Sequence, residues 1–129
     1  MNNYEELLAA VTLYLDALYY CDVDKLDQVF HEASSLFDAD EGAIFIESIE
    51  SFRADVASRP APAERNQKRF DEIIAIDWLS SLSAMVKLRV QAHENVFVDH
   101  LSLVKGQQGW KIVAKVWHLE TTSKVELNT

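Results

Sequence analysis

The sequence predicts an α+β domain in which a curved antiparallel sheet packs against N-terminal helices and leaves one pocket. Three observations support this prediction. Apolar residues recur at helical spacing in the first part of the chain, whereas they alternate with polar residues in the second half, as in strands. The strand-like segments are joined by short connections, which make consecutive strands antiparallel neighbours.

Length and composition fit a single domain over residues 1–129. An apolar fraction of 49% is enough for a core without disulfide bridges. The one cysteine, Cys21, cannot pair within the chain, which fits a reducing compartment. A formal net charge of −9 opposes contact with phosphate backbones. No apolar run approaches the roughly 20 residues that span a bilayer. Together, the cysteine count, the net charge and the missing apolar run predict a cytoplasmic protein that binds neither nucleic acid nor membrane.

Three helices are predicted in the first half of the chain. Each has an apolar stripe at helical spacing, and a residue able to cap the first turn stands at each start. The predicted helices are Tyr4–Tyr20 after Asn3, Val23–His31 after Asp22, and a third that runs from the cap Ser48 to Ser58.

The remaining segments predict strands. Between the second and third helices, Ser34–Asp38 and Ala43–Ile49 flank a turn and form a small hairpin. After the linker Arg59–Asn66, four longer strands follow as a meander because their links are short. These strands are Gln67–Leu79, Ala84–His93, Asn95–Lys105 and Trp110–Thr121.

Alternation in the last strand bears on assembly. Both of its faces carry apolar residues: Ile112, Ala114 and Val116 on one side, and Val113, Trp117 and Leu119 on the other. An apolar outer face around Trp117 favours a partner, most simply a second copy in a homodimer. Alternatively, the C-terminal tail covers this patch.

Familiar chemical motifs are missing from the sequence. Three glycines cannot build a phosphate-binding loop, so no nucleotide cofactor is expected. The four histidines lack metal-ligand spacing. The acidic cluster that starts at Asp22 lacks the glycine and terminal glutamate of a calcium loop, so no metal is expected.

The order of elements resembles the nuclear transport factor 2-like superfamily. Its members are cone-shaped α+β domains of cystatin-like fold, with three N-terminal helices on a strongly curved antiparallel sheet and a pocket between them. The most specific segments are LYLDALYYCDVDKLDQVFH (Leu13–His31), DHLSLVK (Asp99–Lys105) and GWKIVAKVWH (Gly109–His118). They resemble the putative lumazine-binding family. This resemblance implies a small-molecule-binding domain of unknown activity, with an aromatic heterocycle as the candidate ligand.

The N-terminal part also resembles ketosteroid isomerases, which share the fold with SnoaL-like polyketide cyclases. In ketosteroid isomerases a helical tyrosine and a strand aspartic acid donate hydrogen bonds to an oxyanion, while a second aspartate moves the proton. The matching positions are Tyr14, Asp99 and Asp38. The resemblance makes these three the candidate catalytic residues for proton transfer next to a carbonyl.

The predicted ligand-binding residues are Tyr14, Trp78, Phe97, Asp99 and His118. Asp99 lies in an otherwise apolar row, where an unpaired carboxyl is costly. A hydrogen bond to Tyr14 or His118 would satisfy it, unless the strand register points it outward. Tyr14 could instead be core packing, Asp38 the start of a turn, and His118 a packed histidine. Three functions stay open: a ligand-binding domain, an enzyme of the isomerase or cyclase type, and a protein-interaction module.

Overall fold

A computed structural model of the protein describes residues 1–122 and confirms the α+β class. Three α-helices, six strands and a 3₁₀ turn (Ala63–Arg65) follow one another in this range. The helices and strands are α1 (Asn3–Tyr20), α2 (Val23–Val29), β1 (Phe30–Asp38), β2 (Phe45–Ser48), α3 (Ile49–Ser58), β3 (Asp71–Ser80), β4 (Ser83–Ala92), β5 (Asn95–Gly106) and β6 (Gly109–Thr122).

Side-chain caps define where the helices begin. Asn2, one residue before the predicted cap Asn3, accepts a hydrogen bond from the backbone N–H of Glu5. Asp22 and Ser48 cap α2 and α3 as predicted. Helix α2 is shorter than expected because the chain becomes extended at its C-cap and continues directly into β1. Within residues 1–122, no helix has the length and apolar character needed to cross a membrane.

The six strands form one curved sheet in the order β2-β1-β6-β5-β4-β3. The predicted meander from β3 to β6 and the predicted β1–β2 hairpin are both present and antiparallel. Strand β1, however, pairs with β6 in parallel, so the sheet is mixed. The sequence alone did not suggest this pair because its two strands are joined by most of the chain, and such a crossover leaves no local turn signal.

The helices cover one face of the sheet. The predicted alternation in β4 is present, with Ala84, Val86, Leu88 and Val90 buried against the helices. The core joins these residues to apolar side chains from every helix and from the neighbouring strands. Its largest fully buried members are Tyr14, Leu7, Leu26, Leu36, Leu88, Leu101, Leu103 and Ile112.

A β-bulge interrupts β6 near its middle. Ile112 pairs with Leu103, and Ala114 pairs with the preceding residue of β5, Ser102. Val113 is therefore an extra residue between two successive pairs. One extra residue reverses the in–out alternation of the residues that follow it, here as far as Leu119, after which the register shifts again.

The bulge overturns two predictions for the end of the chain. Lys115 and Trp117 lie on the inner face, where Lys115 is 6% exposed and the ring of Trp117 approaches its ammonium group. Val116 is half exposed, and His118 is exposed on the outer face. The sequence predicted the reverse, with Trp117 in an outer apolar patch and His118 in the pocket, because it assumed unbroken alternation.

The outer face of the sheet mixes apolar and charged groups. Val98 and Val116 lie beside an ion-pair network in which Arg89 contacts Glu72 and Glu120. This face is more polar than the pattern of β6 suggested. The homodimer through it stays a prediction, and the alternative cover by the C-terminal tail concerns residues 123–129, outside the described residues.

Replacing Leu101 tests the orientation of β5. Leu101→Ala removes a fully buried side chain, so we expect the free energy of unfolding to fall by about 2–5 kcal/mol. The matched control is Val104→Ala, on the outward face of the same strand at 41% exposure, with an expected loss under about 1 kcal/mol. Urea denaturation measures both. Equal losses would contradict the assignment of faces.

Candidate functional site

A cavity of about 190 Å³ opens between the inner face of the sheet and the helices. Its apolar wall comes from α1, α3 and the sheet, and its polar wall combines carboxylates with two cations. The apolar residues include Leu18, Leu36, Phe52, Val90, Phe97 and Trp117, and the charged residues are Glu47, Asp55, Arg59, Asp99 and Lys115. Enclosed apolar space with a few convergent polar groups is typical of ligand sites.

Tyr14 and Asp99 form a buried pair beneath this cavity. The hydroxyl of Tyr14 donates a hydrogen bond to Oδ2 of Asp99 at 2.5 Å, and both side chains are fully buried. Burial raises the pKa of Tyr14 well above its ordinary value, and the neighbouring Asp99 raises it further, so the hydroxyl keeps its proton. The other carboxyl oxygen, Oδ1 of Asp99, has no hydrogen-bond partner within residues 1–122. Asp99 is one of the residues that line the cavity, so this buried acceptor without a donor lies next to the enclosed space.

Lys115 brings a second charge to the same place. Its Nζ lies 3.7 Å from Oδ2 of Asp99, which is an ion pair but longer than a hydrogen bond. Three aromatic rings surround the ammonium group, with centroids at 4.6 Å for Phe52, 5.3 Å for Tyr14 and 5.8 Å for Trp117. Burial lowers the pKa of Lys115, and the nearby Asp99 carboxyl opposes this effect only in part.

Sequence reasoning missed Lys115 because it placed this residue on the face opposite the pocket. One signal was available. An aspartate in an apolar row needs a counter-charge, and the strand that follows Asp99 carries only lysines as cations. Choosing between Lys111 and Lys115 required the bulge, which the sequence does not mark with a glycine.

A carboxyl pair lies at the edge of the cavity. Glu47 of β2 and Asp55 of α3 are neighbouring acids at the cavity wall, and the hydroxyl of Ser51 donates to Glu47 at 2.8 Å. Burial raises the pKa of Glu47, and the neighbouring Asp55 carboxyl raises it further. These acids, and not the predicted Asp38, are the carboxyl groups that line the cavity beside Asp99.

The structure brings some predicted site residues together and separates others. Tyr14 and Asp99 are in contact, and Phe97 lines the cavity with Asp99. Asp38 and Trp78 are not among the lining residues in the described part of the chain. The carboxylate of Asp38 accepts a hydrogen bond from the N–H of Asp40 at 3.4 Å, which is the turn role that the sequence left open. Trp78 packs edge-on against Trp110, with ring centroids 5.9 Å apart.

His118 lies away from the cavity wall, on the outer face. Its Nδ1 is 2.6 Å from the carboxylate of Asp40, which also accepts the backbone N–H of Leu119. These two contacts lower the pKa of Asp40. His118 therefore holds the β1–β2 turn against β6, and the prediction that it lines the pocket with Asp99 is wrong because of the bulge.

Comparison with known protein families shows which family the chain belongs to. A family model described as putative lumazine-binding matches residues 2–118, which is most of the sequence. The chain belongs to the putative lumazine-binding family. This match confirms the family resemblance that the sequence showed in residues 13–31, 99–105 and 109–118. A search of curated proteins with this sequence finds no match.

Solved structures similar to this putative lumazine-binding chain share its fold. A nuclear transport factor 2-like protein of unknown function from Silicibacter pomeroyi is 25% identical, with 91% of this chain and 95% of that chain covered and a TM-score of 0.79. A second such protein, from Shewanella baltica, is 16% identical, with 92% and 94% covered and a TM-score of 0.81. A ketosteroid isomerase-like protein from Erwinia carotovora atroseptica is 13% identical, with 88% and 92% covered and a TM-score of 0.64. The predicted nuclear transport factor 2-like fold is confirmed.

Removing the hydroxyl of Tyr14 tests the buried pair. Tyr14→Phe leaves Oδ2 of Asp99 without its donor, so the free energy of unfolding should fall by about 1–3 kcal/mol. Tyr20→Phe, in the same helix at 53% exposure, is the control and should change it by less than about 0.5 kcal/mol. Both are measured by urea denaturation. A Tyr14→Phe protein as stable as the control would mean that the hydrogen bond contributes nothing.

Neutralising Glu47 tests the carboxyl pair. A raised pKa means that the folded state prefers the protonated acid, so charging Glu47 costs stability at neutral pH. Glu47→Gln removes this cost, and the variant should be more stable than the wild type at neutral pH. The difference should vanish as the pH falls below the ordinary value of 4.5, where both carry a neutral side chain. Denaturation at several pH values measures it, with Glu41→Gln in the exposed turn as control. A difference that is constant with pH would contradict the prediction.

Proposed function

We propose that this member of the putative lumazine-binding family binds a small planar heterocycle through a ring edge that carries an N–H beside a carbonyl. The observation that supports this proposal is the pairing of an unused acceptor with a cation at one cavity wall. Oδ1 of Asp99 can accept the ligand N–H, and Nζ of Lys115 can donate to the adjacent carbonyl oxygen. A cyclic imide or lactam has this sequence of groups.

The size and lining of the cavity favour a flat aromatic ligand. Its volume of about 190 Å³ is smaller than the roughly 300–1,000 Å³ of sites for drug-sized molecules. Phe52, Phe97 and Trp117 contribute ring faces or edges to the wall, against which a heterocycle can stack. Lumazine is a bicyclic pteridinedione with an imide edge, so the description of the family agrees with the chemistry of these residues.

The binding energy would come from satisfying a buried charge. Oδ1 of Asp99 is removed from water in the ligand-free protein and gains no hydrogen bond in return. A ligand N–H that reaches it forms a charge-assisted hydrogen bond, worth about 1.5–3 kcal/mol. That energy corresponds to roughly a 10- to 100-fold change in Kd. The site should therefore discriminate strongly between a free and a blocked ring N–H.

A pair of ligands tests this hypothesis. Isothermal titration should detect binding of lumazine, whereas 1,3-dimethyllumazine, in which both ring N–H groups beside a carbonyl are blocked, should bind roughly 10- to 100-fold more weakly. The Asp99→Asn substitution should weaken the binding of lumazine to a similar extent. Tyr14 will hold the amide oxygen, so the amide NH₂ faces the ligand N–H. Asp77→Asn, on exposed β3, is the matched control. Equal binding of the two ligands would overturn the proposed contact, and no binding by any imide would overturn the function.

A further inference from the structure

Lys115 is placed unlike an ordinary salt-bridged lysine. Its side chain is almost fully buried, and Lys115 is one of the residues that line the cavity. The nearest carboxylate oxygen, Oδ2 of Asp99, is 3.7 Å away, and that oxygen already accepts the hydroxyl of Tyr14. Three aromatic rings lie around the amine, and the residue that carries it lines the cavity.

Such surroundings favour a nucleophilic amine. A lysine reacts with carbonyl compounds only as the neutral amine, and desolvation by burial favours that form. Burial lowers the pKa of Lys115, although Asp99 and Glu47 act in the opposite direction and the guanidinium of Arg59 adds to the lowering.

We propose that Lys115 forms a Schiff base with a small planar aldehyde or ketone bound in this cavity. This inference goes beyond the reversible binding of a heterocycle. It rests on the proposed function only because both use the same cavity. An aryl aldehyde fits the requirements because its ring can stack on Phe52 or Trp117 while its carbonyl carbon meets the amine.

The reaction balances with groups present in the cavity. The lone pair of Nζ attacks the carbonyl carbon, the C–N bond forms, and the π electrons move to oxygen. The carboxyl group of Asp99 carries one nitrogen proton to the oxygen, which gives the neutral carbinolamine. It then carries the second nitrogen proton to the hydroxyl group, which leaves as water as the C=N bond forms. The net change is one amine and one carbonyl to one imine and one water, without oxidation or reduction. Tyr14 is a positioning residue, because its hydrogen bond orients Asp99.

Reductive trapping tests the proposal directly. The wild-type protein is incubated with limiting benzaldehyde and cyanoborohydride, which reduces an imine to a stable secondary amine. Intact mass spectrometry should show one addition of the aldehyde mass less one oxygen atom, and peptide mapping should place it on Lys115. With 2,4-pentanedione and no reductant, the same amine should form an enaminone, detected by its absorbance. Adducts spread evenly over the surface lysines would overturn the proposal without the need for any variant.

Two substitutions of Lys115 distinguish the role of its nucleophilic amine from the role of its positive charge. Lys115→Arg keeps the cation but not the nucleophile, and Lys115→Met removes both, so each should lose the adduct. Lys87→Met, on the outer face, should keep it. Circular dichroism verifies that each variant is folded. An adduct that persists in a folded Lys115→Arg protein would overturn the inference.

The outcomes distinguish this inference from the proposed function. If lumazine binds and no adduct maps to Lys115, the cavity is a reversible site and the Schiff base is rejected. If the adduct maps to Lys115 and no imide binds, the heterocycle proposal fails while this inference stands.

Discussion

The buried carboxyl of Asp99 is the constraint around which this inner sheet face is organised. Removing a carboxylate from water costs several kcal/mol unless hydrogen bonds and an opposite charge compensate. One oxygen obtains both, from the hydroxyl of Tyr14 and the ammonium of Lys115. The three residues come from α1, β5 and β6, so the pair and its counter-charge tie the longest helix to the centre of the sheet. The second oxygen is buried and has no hydrogen-bond donor within residues 1–122.

This arrangement differs chemically from the oxyanion site of ketosteroid isomerases. There, a tyrosine and a neutral aspartic acid both direct donors at the substrate. Here the donor of Tyr14 is directed at Asp99 itself, and a cation lies beside the carboxyl. Tyr14 and Asp99, with Lys115 beside them, therefore place an acceptor and an ammonium group at the cavity. Such a wall complements an N–H and carbonyl edge better than a developing oxyanion, which is why we favour binding over enolisation.

Local sequence signals predicted the fold well. Asp22 and Ser48 cap their helices, and the β4 alternation from Ala84 to Val90 matches its buried face, because caps and alternation depend on near neighbours. The parallel β1–β6 pair left no such signal. For the site, resemblance brought Tyr14 and Asp99 together correctly. It assigned the proton-transfer role to Asp38. The carboxylate of Asp38 instead accepts a hydrogen bond from the backbone N–H of Asp40 in the turn.

The errors at the C-terminal end have one cause, and it also explains the site. A single extra residue at Val113 turns Lys115 inward and His118 outward. Without the bulge, regular alternation would leave a buried carboxyl with Tyr14 as its partner and would place the lysine in solvent. Bulges bend a strand and redirect its side chains, and they are frequent beside functional sites. The bulge, which made the prediction from regular alternation fail, is thus what brings the cation to the cavity. The chemistry proposed for Lys115 depends on it.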